Sequence, residues 1–330
     1  MRLKKGIVFF LVLAMMATFA VGCGNSNQTD GDGQGQQQGK VETQFLNIAT
    51  GGTAGTYFPL GGAIMEILNQ NIEGMNASAA ATGASVANTN QLNSGEADLA
   101  FIQNDISYYA LNGTEMFTDN KIDSLRAIST IYPETCQLVT LQKFGINNVA
   151  DLKGKRVAVG DKGSGVEANA RQILQAYDIT YDDIKVQYLS FAEAANGLKD
   201  GNIDAAFITA GFPTAAIQDI SAQHEVKLIS IDDAMRDKLI AEYPFYTKIT
   251  IPAGSYPKQD ADVESIAVKA MLVVTDKMDD ELAYQITKAI YSNLDRLGVA
   301  HPVGKTITKE GAKEGMSIPL HSGAERYFNE

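Results

Sequence analysis

The sequence predicts an α/β protein of two similar lobes, with mostly parallel sheets and a cleft between the lobes. A thirteen-residue phrase occurs at 90–102 and again at 196–208, with the shared pattern N-x-L-x-x-G-x-x-D-x-A-F-I. A Gly-rich segment lies upstream of each copy, at 48–56 and 157–165, and runs from an apolar stretch into a helical pattern. Strands that alternate with helices predict a mostly parallel sheet, with ligands at the carboxyl edge of its strands.

Each copy of the phrase predicts a helix, a stop and a strand. Gly95 and Gly201 suit the left-handed residue that ends a helix, and the Ala-Phe-Ile run after each suits a buried parallel strand. Asp98 and Asp204 suit the turn between the two. We interpret these aspartates as turn residues rather than an acid/base pair, because the repeat places them in separate lobes.

The first lobe is predicted to begin with residues 45–137. Leu60, Ile64 and Leu68 recur at the spacing of one helix face. Asp105 follows a strand and suits a helix N-cap. In chain order we predict a strand at 45–49, helices at 57–69 and 85–92, a strand at 99–102, a helix at 105–111, and strands at 126–132 and 137–141.

The second lobe is predicted to span 138–246, and residues 247–330 to return to the first. A chain that crosses twice makes a two-strand hinge, which allows the lobes to close on a ligand. We predict strands at 156–159, 186–189, 205–208, 226–231, 247–251 and 265–274, and helices at 167–177, 192–199, 214–221, 232–243 and 280–297.

The N-terminus predicts export and lipid anchoring. Residues 1–22 combine a basic start with an uncharged apolar run, as in a signal peptide, and end at Cys23 in a pattern that resembles a lipoprotein cleavage site. Residues 23–44 are rich in Gly, Gln, Asn and Asp and predict a disordered tether. We therefore expect an extracytoplasmic protein held to the bilayer by an acyl group on Cys23.

Charge and motifs argue against several functional classes. Removal of residues 1–22 leaves 24 basic against 39 acidic residues, which argues against nucleic-acid binding. The Gly-rich segments lack the Lys of a phosphate-binding loop, and the three His residues lack metal-ligand spacing. The sequence therefore predicts no cofactor, no metal and no catalytic residues.

The glycine turns instead predict binding of a small anion, because a helix start presents free backbone N–H groups. Ser85 is either a helix cap or a ligand donor, and Asp105 is better explained as a cap. The candidate ligand-binding residues lie at strand-to-helix turns of both lobes: Gly52, Thr53, Ala54, Gly55, Tyr57, Ser85, Asn88, Gln103, Asp105, Gly163, Ser164, Gly165, Val166, Gly211 and Phe212.

Several stretches, taken in order, resemble the TAXI family of solute-binding subunits of TRAP transporters. They are residues 48–62, 81–88, 94–103, 152–157, 160–165 and 204–207. The resemblance implies a type II periplasmic-binding-protein fold, a small carboxylate ligand such as glutamate or 2-oxoglutarate, and a TRAP membrane permease as partner. Ala84 and Val166 depart from the family pattern, which commonly has Gly and Thr at these positions.

Two alternatives stay open at this point. The chain could serve an ABC importer with the same fold, or be a cell-surface sensor or interaction lipoprotein whose cleft is vestigial. Stabilisation by a ligand separates a working cleft from a vestigial one.

Overall fold

The computed structural model describes residues 43–330, so the predicted signal peptide, Cys23 and nearly all of the tether lie outside the described residues. Within this part the chain forms ten strands and ten α-helices. The strands are β1 (Gln44–Ala49), β2 (Met75–Ala80), β3 (Leu99–Gln103), β4 (Leu125–Leu141), β5 (Arg156–Ala158), β6 (Lys185–Gln187), β7 (Ala205–Ala210), β8 (Val226–Ile229), β9 (Thr247–Ile251) and β10 (Val263–Thr275). The helices are α1 (Tyr57–Asn71), α2 (Ser85–Ser94), α3 (Asn104–Asn112), α4 (Gly165–Ala176), α5 (Phe191–Asp200), α6 (Ala215–Ser221), α7 (Asp233–Glu242), α8 (Asp280–Tyr291), α9 (Leu294–Ala300) and α10 (Ser322–Phe328).

The sheet has the same plan in its two halves. Its order is β2-β1-β3-β10-β4-β7-β5-β6, with β8 against β4 and β9 against β10. The outer trios β2-β1-β3 and β6-β5-β7 are parallel, and each is wound in the same order. The two-lobed α/β fold predicted from the internal repeat is therefore confirmed.

The central part of the sheet is antiparallel, which the sequence did not predict. β10 pairs in the antiparallel sense with β3, β4 and β9, and β4 does so with β7 and β8. The reason is the double crossing: one long strand leaves the first lobe and another returns, so the two run in opposite directions. The lobes consequently share one mixed sheet.

The repeated phrase folds as predicted. Gly95 and Gly201 end α2 and α5 with φ of 79° and 74°. Asp98 accepts the N–H of Asn47 at 2.8 Å, and Asp204 accepts the N–H of Arg156 at 2.8 Å. Asp98 and Asp204 lie before β3 and β7, at the amino ends of these strands, and each ties its turn to a residue of the neighbouring strand, β1 or β5.

Each lobe buries apolar residues on both faces of its part of the sheet. In the first lobe, Leu60 of α1 and Ile286 of α8 pack in one cluster, while Ile106 of α3 belongs to a cluster with residues of β3 and β10. In the second lobe, Ile173 of α4 and Leu198 of α5 belong to separate clusters. Helices on both faces explain why strands such as β3 and β7 are buried along their whole length.

Several element boundaries differ from the prediction. The runs 126–132 and 137–141 are one strand, β4, because Tyr132 to Thr135 pair with β10 and bridge the gap. The helix predicted at 280–297 stops at Tyr291, and Asn293, with φ −136° and ψ 34°, departs from the helical conformation before α9 begins. β2 was not predicted, because its sequence MNASAA alternates apolar with polar residues over only a few positions and contains no β-branched or aromatic residue.

The strand at 247–251 contacts the second lobe, although the sequence placed it in the return to the first. β9 pairs with residues 263–267 of β10. Its Ile251 belongs to the cluster that contains Val139 and Ile208. These contacts favour a return crossing within β10, after residue 267, over one at 247.

Candidate functional site

The carboxyl ends of both parallel trios open onto one cavity between the lobes. The volume that the centre of a water molecule can occupy in this cavity is about 50 Å³. At roughly 10–15 Å³ per water, it has room for about four waters or for the polar head of a compact solute. Its walls are Gly51, Gly52, Gly55, Thr56, Tyr57, Thr82, Gly83, Ala84, Ser85, Gln103, Tyr132, Glu134, Asp161, Ser164, Gly165, Val166, Ser190, Phe191, Thr209 and Ala210.

Four helices begin at the cavity wall, two from each lobe. They are α1, α2, α4 and α5, of 15, 10, 12 and 10 residues. The first N–H groups of a helix have no partner inside it. At α4 the Ser164 hydroxyl accepts the N–H of Glu167 at 3.3 Å, and the N–H groups of Gly165 and Val166 remain directed out of the helix start. Such N–H groups, with the positive end of the helix dipole, suit an anion.

Eight of the fifteen candidate residues line this cavity: Gly52, Gly55, Tyr57, Ser85, Gln103, Ser164, Gly165 and Val166. They come from the turns before α1, α2 and α4 and from the end of β3. The other seven lie outside its wall: Thr53, Ala54, Asn88, Asp105, Gly163, Gly211 and Phe212.

Three of those seven hold the lobes together. The carbonyl of Ala54 accepts the N–H of Ala216 at 3.2 Å. The carbonyl of Gly163 accepts the N–H groups of Val86 and Ala87 at 3.1 and 3.0 Å. The carbonyl of Gly211 accepts the hydroxyl of Thr56 at 3.2 Å. Backbone bonds of this kind are made only when the lobes are close, so the glycine turns contribute to closure as well as to the wall.

Asn88 and Asp105 have buried partners within the protein. The Asn88 amide donates to the carbonyl of Thr50 at 2.6 Å and to that of Phe101 at 2.7 Å, which joins β1, β3 and α2. Thr53 is exposed and Phe212 is half-buried at the edge of the second lobe's core.

Asp105 is not the N-cap predicted from the sequence. α3 starts one residue earlier, and Asp105 is 1% exposed in its first turn. Its Oδ2 accepts the amide of Asn169 on α4 at 3.0 Å, a bond that crosses from one lobe to the other. Burial raises the pKa of Asp105 to about 7, although bonds from the Ile106 N–H and the Asn169 amide oppose the rise.

The sequence reasoning missed the part of the wall that β4 contributes. Tyr132 and Glu134 lie where this strand passes between the lobes, and both are almost fully buried. Burial raises the pKa of Glu134 to about 8, while hydrogen bonds from Tyr57 and Gln103 act in the opposite direction. The available signal was that Glu134 is the one charged residue of 127–142, because a carboxyl rarely enters a core without a role.

Phe191 and Asp161 were also missed. Phe191 lies at the first position of α5 and supplies an apolar surface to the cavity. Asp161 is half-buried, and burial followed by the neighbouring Glu193 raises its pKa. No group of three or more metal-ligating side chains occurs in residues 43–330. The same residues contain no helix long and apolar enough to cross a membrane.

A directed chain of hydrogen bonds leads to Glu134. The backbone N–H of Gln103 donates to the Ser85 hydroxyl at 3.2 Å, and the Ser85 and Tyr57 hydroxyls lie 3.5 Å apart. The Tyr57 hydroxyl donates to Oε1 of Glu134 in a very short bond. Because Tyr57 has one proton, Ser85 is the donor between the two hydroxyls. Burial and then Glu134 raise the pKa of Tyr57 well above its usual value, so Tyr57 keeps this proton.

Comparison with known proteins was made for both sequence and fold. Residues 48–330 match the model of the NMT1-like family. The alkanesulfonate-binding protein SsuA of Xanthomonas axonopodis pv. citri, bound to MOPS, is 16% identical, with coverage of 88% of this chain and 85% of that chain and a TM-score of 0.50. PhnD1 of Prochlorococcus marinus, in complex with methylphosphonate, is 11% identical, with coverage of 80% and 88% and a TM-score of 0.52. A Listeria monocytogenes protein named for L-cystine ABC transport is 16% identical, with coverage of 83% and 100% and a TM-score of 0.51.

These findings correct the resemblance drawn from the sequence. The matching family is described as NMT1-like, and the similar structures are an alkanesulfonate-binding protein, a protein in complex with methylphosphonate and a protein named for L-cystine ABC transport, rather than TAXI subunits. The assignment to the TAXI family is therefore wrong, and so are the TRAP permease and the carboxylate ligand that it implied. The motifs behind it are glycine turns at helix starts, which bring the backbone to the cavity wall in this structure.

Proposed function

The chain belongs to the NMT1-like family, and from that premise we propose that it is the extracytoplasmic solute-binding protein of an ABC importer. It holds a small organic oxyanion between its lobes and presents the closed form to an ABC permease. The ABC importer, which the sequence left open as an alternative, thus replaces the TRAP transporter that the resemblance implied. The similar fold of the Listeria monocytogenes protein named for L-cystine ABC transport supports this choice of partner, and the alkanesulfonate- and methylphosphonate-binding neighbours support an oxyanion as solute.

One observation carries the proposal: the starts of four helices from two lobes surround a single buried cavity. A structural role for the glycine turns would not require them to converge. At α2 the N–H groups of Val86 and Ala87 are bonded to the carbonyl of Gly163, so the N–H groups of the other helix starts meet the oxyanion; each helix start is equivalent to about 0.5 elementary charge of positive sign. No Lys, Arg or His is among the residues that line the wall, so the negative charge of the solute is met by backbone groups.

Closure follows from the contacts around the cavity. The bonds from Thr56 to Gly211 and from Asn169 to Asp105 cross between the lobes. They are lost when the lobes separate, and a solute that bridges both walls adds further contacts to the closed form. The solute therefore shifts the population toward closure, which gives the permease a surface to recognise.

Binding, rather than catalysis, suits the groups on the wall. The Ser164 hydroxyl donates to the carbonyl of Asp161 at 2.8 Å and caps α4, so it is engaged as a helix cap. A nucleophilic serine instead needs a base within hydrogen-bond reach. We propose that the solute leaves the site unchanged.

Thermal stability measured with a panel of solutes tests the function. Methanesulfonate, methylphosphonate and L-cystine each have a counterpart among the similar structures. A solute at a hundredfold excess over its Kd is expected to raise the free energy of unfolding by about 2.7 kcal/mol. If none of them raises it, and native mass spectrometry finds no small molecule bound to the purified protein, the cleft is vestigial and the sensor alternative is preferred.

We also propose export and acylation of Cys23, which lies outside the described residues. Intact-mass measurement of the mature protein from membranes is expected to show loss of residues 1–22 and a lipid-modified N-terminal cysteine. The C23S variant should leave the membrane fraction while keeping its solute affinity, since the cavity belongs to residues 51–210. Retention of C23S on the membrane would contradict the anchor.

A further inference from the structure

Two carboxyls line a cavity whose helix starts suit an anion. Glu134 lies on β4 between the lobes and is 3% exposed, and Asp161 precedes α4 and is half-buried. A carboxylate beside an anion repels it unless a positive charge lies near both. Of the described residues that line the wall, none is Lys, Arg or His. The wall therefore combines sites for negative charge with negative groups of its own.

Glu134 has hydrogen-bond donors but no cationic partner in the described part of the chain. Its Oε1 accepts the Tyr57 hydroxyl, and its Oε2 has a contact of 3.5 Å from the amide of Gln103. The other group that acts on it is Asp105, which is itself a carboxyl. An ionised carboxylate has about two acceptor positions on each oxygen. Both oxygens of Glu134 can therefore accept a further donor.

Asp161 also lies near negative rather than positive groups. The group that acts on its charge is the carboxyl of Glu193. Lys162 follows it in the chain, but the Lys162 Nζ lies over the ring of Tyr188, 5.1 Å from the ring centre, and Lys162 is not part of the cavity wall. Charges withdrawn from water are normally paired. The cavity thus has an excess of negative groups that its own wall does not balance.

An unpartnered acceptor lies beside Glu134. The side-chain carbonyl of Gln103 is buried and has no hydrogen-bond partner in residues 43–330, although Gln103 lines the cavity. The amide nitrogen of the same side chain contacts two acceptors, Oε2 of Glu134 at 3.5 Å and Oδ1 of Asn169 at 3.3 Å. Turning the amide over would set its carbonyl against both of them. A buried acceptor without a donor is costly, and a donor on the solute removes that cost.

From this arrangement, and resting on the proposed function, we propose that the solute carries a protonated amine as well as its oxyanion, and that the ammonium binds Glu134 and the Gln103 carbonyl. An ammonium has three N–H donors and no acceptor, which matches a group of acceptors without a cation. The oxyanion binds the N–H groups at the helix starts, and Asp161 adds negative potential in the same cavity. The solute class is a small aminoalkyl sulfonate or phosphonate.

The ammonium takes the place of a proton at Glu134. Burial raises the pKa of this carboxyl to about 8, so the protein by itself carries a proton there near neutrality. A neighbouring cation favours the ionised carboxylate, and the displaced proton passes to the solvent. The charge at Glu134 is therefore balanced both before and after the amine binds.

Calorimetry with two probes of matched shape tests the inference. 2-Aminoethanesulfonate becomes propane-1-sulfonate when its ammonium is replaced by a methyl group, and both are short enough for a cavity that holds about four waters. We expect the full mature protein at pH 7 to bind the aminosulfonate at least about tenfold more tightly, because the ammonium adds charged hydrogen bonds. 2-Aminoethylphosphonate should exceed propylphosphonate in the same way, which separates the effect of the ammonium from that of the oxyanion.

Variants then test the assignment of the ammonium to Glu134. E134Q keeps the shape of the side chain and removes its charge, so the preference for 2-aminoethanesulfonate should fall to within about threefold. Propane-1-sulfonate should bind E134Q no more weakly than it binds the wild type. D161N should keep a preference above about threefold, since a half-buried charge acts from a more screened position. The exposed E73Q variant should keep the full preference, and thermal melts establish that each variant is folded.

Two results would overturn the inference and leave the proposed function in place. One is binding of propane-1-sulfonate to the wild type as tight as that of 2-aminoethanesulfonate, a comparison that needs no variant. The other is a folded E134Q protein with the full wild-type preference, because the ammonium would then bind elsewhere. Failure of every sulfonate and phosphonate to bind the wild type has a different meaning, since it overturns the proposed function and with it this inference.

Discussion

The side-chain carbonyl of Gln103 in the first lobe lies directly against Gly165 in the second. A β-carbon added to Gly165 would come within 1.8 Å of Gln103 Oε1. Gln103 ends β3 and Gly165 starts α4, and both line the cavity. The absence of a side chain at position 165 is therefore a condition for this approach of the lobes.

We expect the G165A variant to lose affinity for its solute by at least tenfold. The added methyl group collides with Gln103 only when the lobes are together, so the closed form is raised in free energy and the open form is not. Small-angle scattering with solute present is expected to show a larger radius of gyration than that of the wild type.

The matched control for this change is G62A. Gly62 lies on α1, and a β-carbon there has no heavy atom within 4 Å. This variant should keep solute affinity and gain slight stability, since Ala favours a helix over Gly by about 0.8–1.0 kcal/mol. Equal affinities of G165A and the wild type would contradict the role of Gly165 in closure.

The backbone conformation of Ala84 predicts that replacing this residue with glycine stabilises the protein. Its φ of 68° and ψ of −147° belong to a region that is essentially restricted to glycine. Such strain costs about 1–3 kcal/mol, whereas the extra backbone entropy of glycine in the unfolded chain costs about 0.5–1 kcal/mol. We expect A84G to raise the free energy of unfolding by about 1 kcal/mol in urea denaturation without solute.

At Ala63 the same substitution should change the free energy of unfolding in the opposite direction, because this residue lies inside α1, where glycine has no conformational advantage. A63G should lower the free energy of unfolding by about 1 kcal/mol. If A84G is also destabilising, the strain at Ala84 is too small to matter.

The pH dependence of stability follows from two buried carboxyls. Burial raises the pKa of Asp105 from 3.8 to about 7 and that of Glu134 from 4.5 to about 8. The folded state therefore binds protons that the unfolded state has already released. The two carboxyls contribute fully to the free energy of unfolding below about pH 4, and this contribution is lost as the pH rises to about 8. We expect the wild-type free energy of unfolding to fall between pH 5 and pH 8.

The variants E134Q and D105N test this assignment, since each removes one titrating group. The fall between pH 5 and pH 8 should be smaller in each variant and smallest in the double variant. Urea denaturation at fixed ionic strength measures it. An unchanged slope in the double variant would show that other groups control the pH dependence.

The sequence predicted the parts of the site that backbone chemistry determines. Gly165 and Ser164 could be placed at the cavity because a glycine turn before a helix appears directly in the sequence, and the repeat indicated that two such turns face each other. Tyr132 and Glu134 could not be placed, because their role depends on the strand that carries them between the lobes. That strand was read as two shorter ones.

The transporter class was beyond reach of the sequence for a related reason. The turns at 51–56 and 160–165 satisfy the geometry of the fold, and the geometry of a helix start does not by itself specify a membrane partner. Asp105 shows in the same way that a residue's role depends on contacts distant in sequence. Its neighbours along the chain predicted a helix cap, whereas its hydrogen-bond partner Asn169 lies 64 positions away. Contacts across the lobes are determined by the tertiary fold.

The last prediction compares the two repeat aspartates, Asp98 and Asp204. Both accept the N–H of a residue in the neighbouring strand at 2.8 Å. Asp204 also accepts the guanidinium of Arg156 at 3.1 and 2.6 Å, and its side chain is 15% exposed, whereas Asp98 is exposed. We expect D204A to lower the free energy of unfolding more than D98A does, by about 1–2 kcal/mol against about 1 kcal/mol, because Asp204 is partly shielded from solvent and adds charged hydrogen bonds to the backbone bond.

Acid separates the two variants further. The bonds from Arg156 lower the pKa of Asp204 in the folded state. Asp204 therefore contributes fully to the free energy of unfolding above 3.8, its pKa in the unfolded chain, and this contribution is lost as the pH falls through the lower pKa of the folded state. The difference between D204A and the wild type should therefore shrink below about pH 4, as measured by urea denaturation at pH 7 and pH 3. The D204N variant, which keeps an acceptor but no charge, should lie between the wild type and D204A at pH 7. Equal losses for D98A and D204A at pH 7 would mean that the Arg156 guanidinium adds nothing to the turn, and that the backbone bond alone explains why both halves of the repeat carry aspartate.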